Sequence, residues 1–106
     1  MEGEKNISRI EVPKDKVGEF CRKNHIRTLS LFGSVLRDDF GPESDIDVLV
    51  EFDPGHVPGL IALGGMEREL SELLGGRKID LVTKGFINHR LRDRILSEAV
   101  EQYAER

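Results

Sequence analysis

Residues 31–50 constrain this chain more than any other stretch: Leu31-Phe32-Gly33-Ser34-Val35-Leu36-Arg37-Asp38-Asp39-Phe40-Gly41-Pro42-Glu43-Ser44-Asp45-Ile46-Asp47-Val48-Leu49-Val50. One apolar run ends in a Gly-Ser turn. A second begins after ten intervening residues, with carboxylates at i and i+2. Short apolar runs bounded by turn residues read as strands, and on a strand positions two apart face the same side. Asp45 and Asp47 therefore share a face, where each raises the pKa of the other unless a cation offsets the repulsion. Magnesium suits such a pair, because it prefers carboxylate and phosphate oxygens to an all-protein cage. The Gly33-Ser34 turn supplies the complement, since backbone N–H groups and a hydroxyl at a helix start suit phosphate oxygens. An anion cradle beside metal-binding carboxylates implies a nucleoside-triphosphate site.

The rest of the chain alternates helical and strand patterns. Residues 1–12 carry no sustained period and read as a flexible tail or a short edge strand. A helix is expected from Pro13 to His25, with proline in its first turn and Val17, Phe20, Cys21 and Asn24 at helical spacing. Ile26 to Phe32 reads as a strand, Ser34 to Asp38 as one or two helical turns, and Gly41 to Ser44 as a turn. Ile46 to Phe52 is a second strand and Asp53 to Gly59 a loop. Leu60 to Leu74 is the clearest helix, with Leu63, Met66, Leu70, Leu73 and Leu74 on one stripe and Gly75-Gly76 at its end. Arg77 to Thr83 is a third strand. Asn88 is a candidate cap for a last helix carrying Leu91, Ile95, Ala99, Val100 and Tyr103. This order predicts an α/β (α+β) domain with a small mixed sheet of three to four strands flanked by helices.

Size and composition narrow the classes. At 106 residues a single domain is expected, with little room for a second substrate-binding module. No apolar run approaches a membrane span, and Met1-Glu2-Gly3-Glu4-Lys5 has no signal-peptide core, so a cytoplasmic location is expected. Cys21, the single cysteine, excludes an internal disulfide. His25, His56 and His89 share no metal-ligand spacing with it or one another, which argues against zinc. The net charge of −4 argues against a nucleic-acid coat protein. Its distribution is uneven: seven acids face one base, Arg37, between Arg37 and Asp53, whereas Lys84, Arg90, Arg92 and Arg94 face only Asp93 between Lys84 and Arg94. A solvated helix face is the preferred reading of that basic segment over a phosphate or partner contact.

The third strand holds a further acid, Asp80, within Lys78-Ile79-Asp80-Leu81-Val82. An acid in an apolar strand is unfavourable unless paired or metal-bound. If this strand lies beside the Asp45–Asp47 strand, three carboxylates meet on one face and suit two-metal phosphoryl transfer. Asp80 would then act as metal ligand or general base on the nucleophile side. The rival reading pairs Asp80 with Lys78 or Arg77. The joint pattern favours the catalytic role.

Taken together, Phe32-Gly33-Ser34-Val35-Leu36-Arg37, Ser44-Asp45-Ile46-Asp47-Val48-Leu49-Val50, Pro58-Gly59-Leu60, Lys78-Ile79-Asp80-Leu81-Val82 and Ile95-Leu96-Ser97-Glu98-Ala99-Val100 resemble the polymerase-beta-type nucleotidyltransferase superfamily. Within it the likeness is to the MNT-type minimal nucleotidyltransferases, and it covers most of the chain, from about Ile26 to Tyr103. As a joint match it is highly specific, whereas Asp-x-Asp alone is weak. The resemblance implies that Gly33 and Ser34 hold the β- and γ-phosphates and that Arg37 contacts phosphate. It implies that Asp45, Asp47 and Asp80 bind two Mg²⁺ ions. It also implies transfer of a nucleoside monophosphate, commonly AMP from ATP, to a hydroxyl with release of pyrophosphate. MNT proteins often pair with a small helical HEPN toxin and act as its antitoxin, in some pairs by adenylylating a tyrosine. A HEPN partner, and a homo- or hetero-oligomer, are thus family expectations. Larger family members carry extra acceptor-binding domains, so a bare core points to a protein acceptor.

Competing classes fit less well. A haloacid-dehalogenase phosphatase carries its Asp-x-Asp after the hydrophobic strand, whereas here the pair begins the strand. An EF-hand needs oxygens and a glycine where Val48 to Val50 stand. The serious alternative is a non-catalytic nucleotide-binding antitoxin that neutralises its partner by masking it.

Overall fold

The structure, a computed structural model, describes residues 10–37, 40–87 and 89–105. Helix α1 (Lys14–Lys23) opens on Pro13, whose carbonyl accepts the Val17 N–H at 2.9 Å, and buries Val17, Phe20 and Cys21. Asn24 stops it, with its side-chain amide donating to the Phe20 carbonyl at 2.8 Å. Strand β1 (Ile26–Phe32) then leads into a 3-10 turn over Gly33–Leu36. Strand β2 (Ile46–Phe52) follows, then helix α2 (Leu60–Leu73), strand β3 (Ile79–Thr83), helix α3 (His89–Glu98) and strand β4 (Val100–Ala104).

These strands form one mixed sheet in the order β3-β2-β1-β4, with β1 antiparallel to both β2 and β4 and β2 parallel to β3. A parallel pair needs a crossover, and α2 provides it. Its predicted stripe faces the sheet: Met66, Leu70 and Leu74 are buried, and Leu63 and Leu73 pack against the core. Gly75 and Gly76, both at positive φ, reverse the chain, and the Gly76 N–H caps the Ser71 carbonyl at 2.7 Å. The central strand β2 buries Ile46, Val48, Leu49, Val50 and Phe52 on both faces, which explains its unbroken apolar character.

One expectation is corrected. The last helix was expected to run through Tyr103, yet it ends at Glu98, and Val100–Ala104 is a strand closing the free edge of β1. Leu29 and Ser30 face Tyr103 and Glu101, so Gln102 has no partner in the register. That bulge accommodates the three-residue spacing of Val100 and Tyr103, which on sequence alone imitates a helix. At the other terminus Ile10 and Val12 pack against the core; the rest of the expected tail or edge strand, residues 1–9, lies outside the described residues. The Asn88 cap and residues Asp38 and Asp39 lie outside the described residues. Among those described, no helix is long and apolar enough to cross a membrane.

Candidate active site

The sheet assembles the predicted residues at the end where β2 and β3 begin. Asp45 immediately precedes β2, and Asp47 is its second residue. Asp80, second in β3, stands directly beside Asp47 in the parallel register. Phe32, the last residue of β1, pairs with Asp47 from the other side, so the chain enters the Gly33-Ser34 turn against that carboxylate.

Gly33 is the tightest point. It sits at φ +77°, and a Cβ there would lie 2.1 Å from Asp47 Oδ2. Glycine thus meets two demands at once, a left-handed backbone and direct approach of main chain to carboxylate. The Ser34 backbone N–H donates to the Asp47 carboxylate, and its hydroxyl donates to the Asp45 carbonyl at 3.3 Å. Arg37, exposed at the end of the turn, is held by its N–H to the Ser34 carbonyl at 2.9 Å. Sequence spacing had put these residues in one motif; the turn and strand register put them around one carboxylate.

Burial pushes the Asp47 carboxyl above the usual carboxylate range, and the negative charges of Asp80 and Asp45 push it further. The Ser34 N–H and the Arg37 charge act in the opposite direction without cancelling the rise. A cation bound beside these carboxylates would relieve that repulsion. Among the described residues, no three or more Asp, Glu, His or Cys side chains come together as a set that could hold a metal ion, so Asp45, Asp47 and Asp80 do not converge on one cation position here. Hard carboxylate oxygens on a partial set fit magnesium, which takes its remaining oxygens from phosphate and water.

The rival pairing of Asp80 does not form. Lys78 Nζ lies 4.0 Å from Asp45 Oδ2, a largely exposed pair of little energetic weight, and Arg77 directs its guanidinium to backbone carbonyls. Glu51 and Asp53, which continue the acidic alternation along β2, are instead matched by Lys84 at 3.6 Å and Arg27 at 3.7 Å. One contact was invisible in the sequence: Glu67 on α2 accepts the Leu81 N–H at 3.0 Å. It thereby ties the crossover helix to β3 next to Asp80. Another is the stacking of His25 on His56, with ring centroids 3.9 Å apart. Cys21 behaves as the expected core residue, fully buried, with its thiol pushed up to about 12 by burial.

Paired carboxylates thus head one strand, a third stands on its parallel neighbour, and a Gly-Ser turn lies against them. The nucleotidyltransferase domain model matches residues 14–101, and the chain belongs to that family. A Methanocaldococcus jannaschii protein named "Putative protein adenylyltransferase" is 40% identical over 96 residues, spanning 91% of this chain and 97% of that protein. Among solved structures, a toxin–antitoxin complex with AMP-PNP contains a chain that superposes with a TM-score of 0.71 at 20% identity. That match covers 90% of this chain and 76% of the other. A complex of a tri-AMPylated Shewanella oneidensis HEPN toxin with MNT antitoxin matches with a TM-score of 0.63 at 20% identity. It covers 87% and 70% of the two chains. At those identities the structural likeness concerns the fold, which is that of the minimal nucleotidyltransferases.

Proposed function

We propose that the chain is a protein adenylyltransferase that moves AMP from ATP to a hydroxyl on a partner protein of the HEPN-toxin type. The observation that carries this reading is the Asp47–Asp80 register beside the Gly33 cradle. Relatives named as protein adenylyltransferases support the reaction, and a HEPN toxin modified in complex with an MNT protein supports the partner class.

In this reading Gly33 and Ser34 receive the β- and γ-phosphates at the start of the 3-10 turn, and Arg37 faces the same anion. Asp45 and Asp47 hold Mg²⁺, with Asp80 completing the set for a second ion. When bound, the metal neutralises triphosphate oxygens and eases deprotonation of the acceptor hydroxyl. In the same reading Asp80, whose side chain is exposed, takes the acceptor proton. The acceptor oxygen then bonds to the α-phosphorus as the bond to the bridging α,β-oxygen breaks, and pyrophosphate leaves.

The test is transfer of label from α-³²P-ATP with Mg²⁺ to a copurifying or genomically adjacent partner. The Asp45→Asn/Asp47→Asn double variant serves as the control. Label on the partner with wild type alone supports the reading. A stable, ATP-binding complex that takes up no label would replace it with the masking antitoxin.

A further inference from the structure

A residue that the proposed reaction does not use makes several contacts beside the carboxylate pair. Arg77 lies just before β3, three residues ahead of Asp80. One terminal nitrogen of its guanidinium donates to two carbonyls of the turn preceding β2: Gly41 at 2.5 Å and Ser44 at 2.9 Å. The guanidinium carbon sits 4.4 Å from the centre of the Phe40 ring. From the other side, the Ser71 hydroxyl on α2 donates to the Arg77 carbonyl at 2.5 Å.

These contacts converge on the backbone that carries Asp45. The 41–44 turn closes on itself through the Ser44 N–H to the Gly41 carbonyl and the Gly41 N–H to the Ser44 hydroxyl, both at 3.1 Å. Arg77 then fixes the carbonyl of Ser44, Ser34 fixes the carbonyl of Asp45 at 3.3 Å, and the Lys78 carbonyl takes the Ile46 N–H at 2.9 Å. The two peptide planes that flank Asp45 are thereby oriented while its side chain stays half-exposed.

We infer that Arg77 is a positioning residue that locks the Asp45–Asp47 carboxylates in register with Asp80 by clamping the 40–44 turn to the start of β3. This rests on the nucleotidyl-transfer reading above. The clamp favours arginine because the flat guanidinium lies on Phe40 while its edge donates to both carbonyls, a stacking that a compact ammonium does not reproduce. Groups that orient ligands from behind are worth as much to a metal site as many direct contacts.

The test compares Arg77→Ala and Arg77→Lys with wild type by hydrogen–deuterium exchange across residues 40–47 and by Mn²⁺ affinity in the presence of ATP. Both variants are expected to exchange faster in that segment with α1 protection unchanged, and to bind Mn²⁺ about 10-fold more weakly. Arg77→Lys covers the case in which the alanine variant does not fold. Unchanged exchange and affinity in both would overturn the inference, as would an even loss of protection reaching α1. If wild-type protein binds no Mn²⁺·ATP, the functional reading fails, and the exchange comparison alone decides the clamp.

Discussion

Where β2 and β3 begin, the carbonyls of Ser44 and Asp45 and the Ile46 N–H are all hydrogen-bonded, and Gly33 touches Asp47 with no room for a methyl group. Where the same strands finish, the buried Thr83 hydroxyl has no hydrogen-bond partner. The loop and helix start beyond β2 leave Val57, Leu60 and Ile61 at 59%, 86% and 94% exposure. A cavity of about 390 Å³ opens there between Phe52, Val57, Thr83 and Arg92. Both ends share the same two strands and the same crossover helix. Geometry is held tightly only where charged groups must be kept at set positions, and the far end is merely adequate for folding.

The comparison breaks first if the carboxylates are dispensable. Asp45→Asn and Asp47→Asn should each lower transfer by about 10³-fold, because a lost metal contact is worth several kcal/mol at the transition state; single-turnover assays with labelled ATP measure this. Gly33→Ala comes next. The left-handed backbone costs about 1–2 kcal/mol for an L side chain, and displacement of Asp47 should reduce transfer by about 10²-fold, read from kcat and denaturant midpoint together.

Asp47 sharpens the contrast through pH. Its folded pKa is raised, so the folded state binds this proton more readily than the unfolded chain. Stability from this group is therefore full at acid pH, falls as pH rises from the unfolded towards the raised folded pKa, and stays lower above it. Asp47→Asn should accordingly melt higher than metal-free wild type at pH 7, with the gain shrinking as pH drops through the carboxylate range. A variant that kills transfer while raising Tm would mark the site as strained for function.

The smallest effects belong to the other end. Thr83→Val removes an unsatisfied hydroxyl with little change of shape and should be neutral or stabilising by up to about 1 kcal/mol. Leu60→Ser with Ile61→Ser should shift stability by under about 0.5 kcal/mol each in urea titrations. A larger loss would mean that the helix start is covered in solution.

Much of this was legible in advance. β1 and β2 have the expected bounds, and the α2 stripe faces the core, because unbroken apolar runs and helical spacing report burial directly. That Asp45, Asp47 and Gly33 would lie close together was readable because one short segment carries them. The position of Asp80 beside Asp47 needed a parallel neighbour that no local pattern announces. β4 was missed because its bulge gives Val100 and Tyr103 a helical spacing. Arg77 was weighed only as a partner for Asp80; its true partners are carbonyls at residues 41 and 44, and no side-chain pattern marks a backbone acceptor. The sequence signal was an arginine flanking the acid-bearing strand, with Phe40 an unremarked turn aromatic.

Cys21 has zero exposure, and its thiol is pushed up to about 12. In the folded chain that sulfur is shielded from alkylating reagents and almost wholly protonated, and reaction needs the thiolate. As the single cysteine of the chain, it is a built-in stopwatch for opening. The rate at which iodoacetamide or a disulfide reagent modifies it counts the moments when α1 lifts off the sheet, in an unmutated protein.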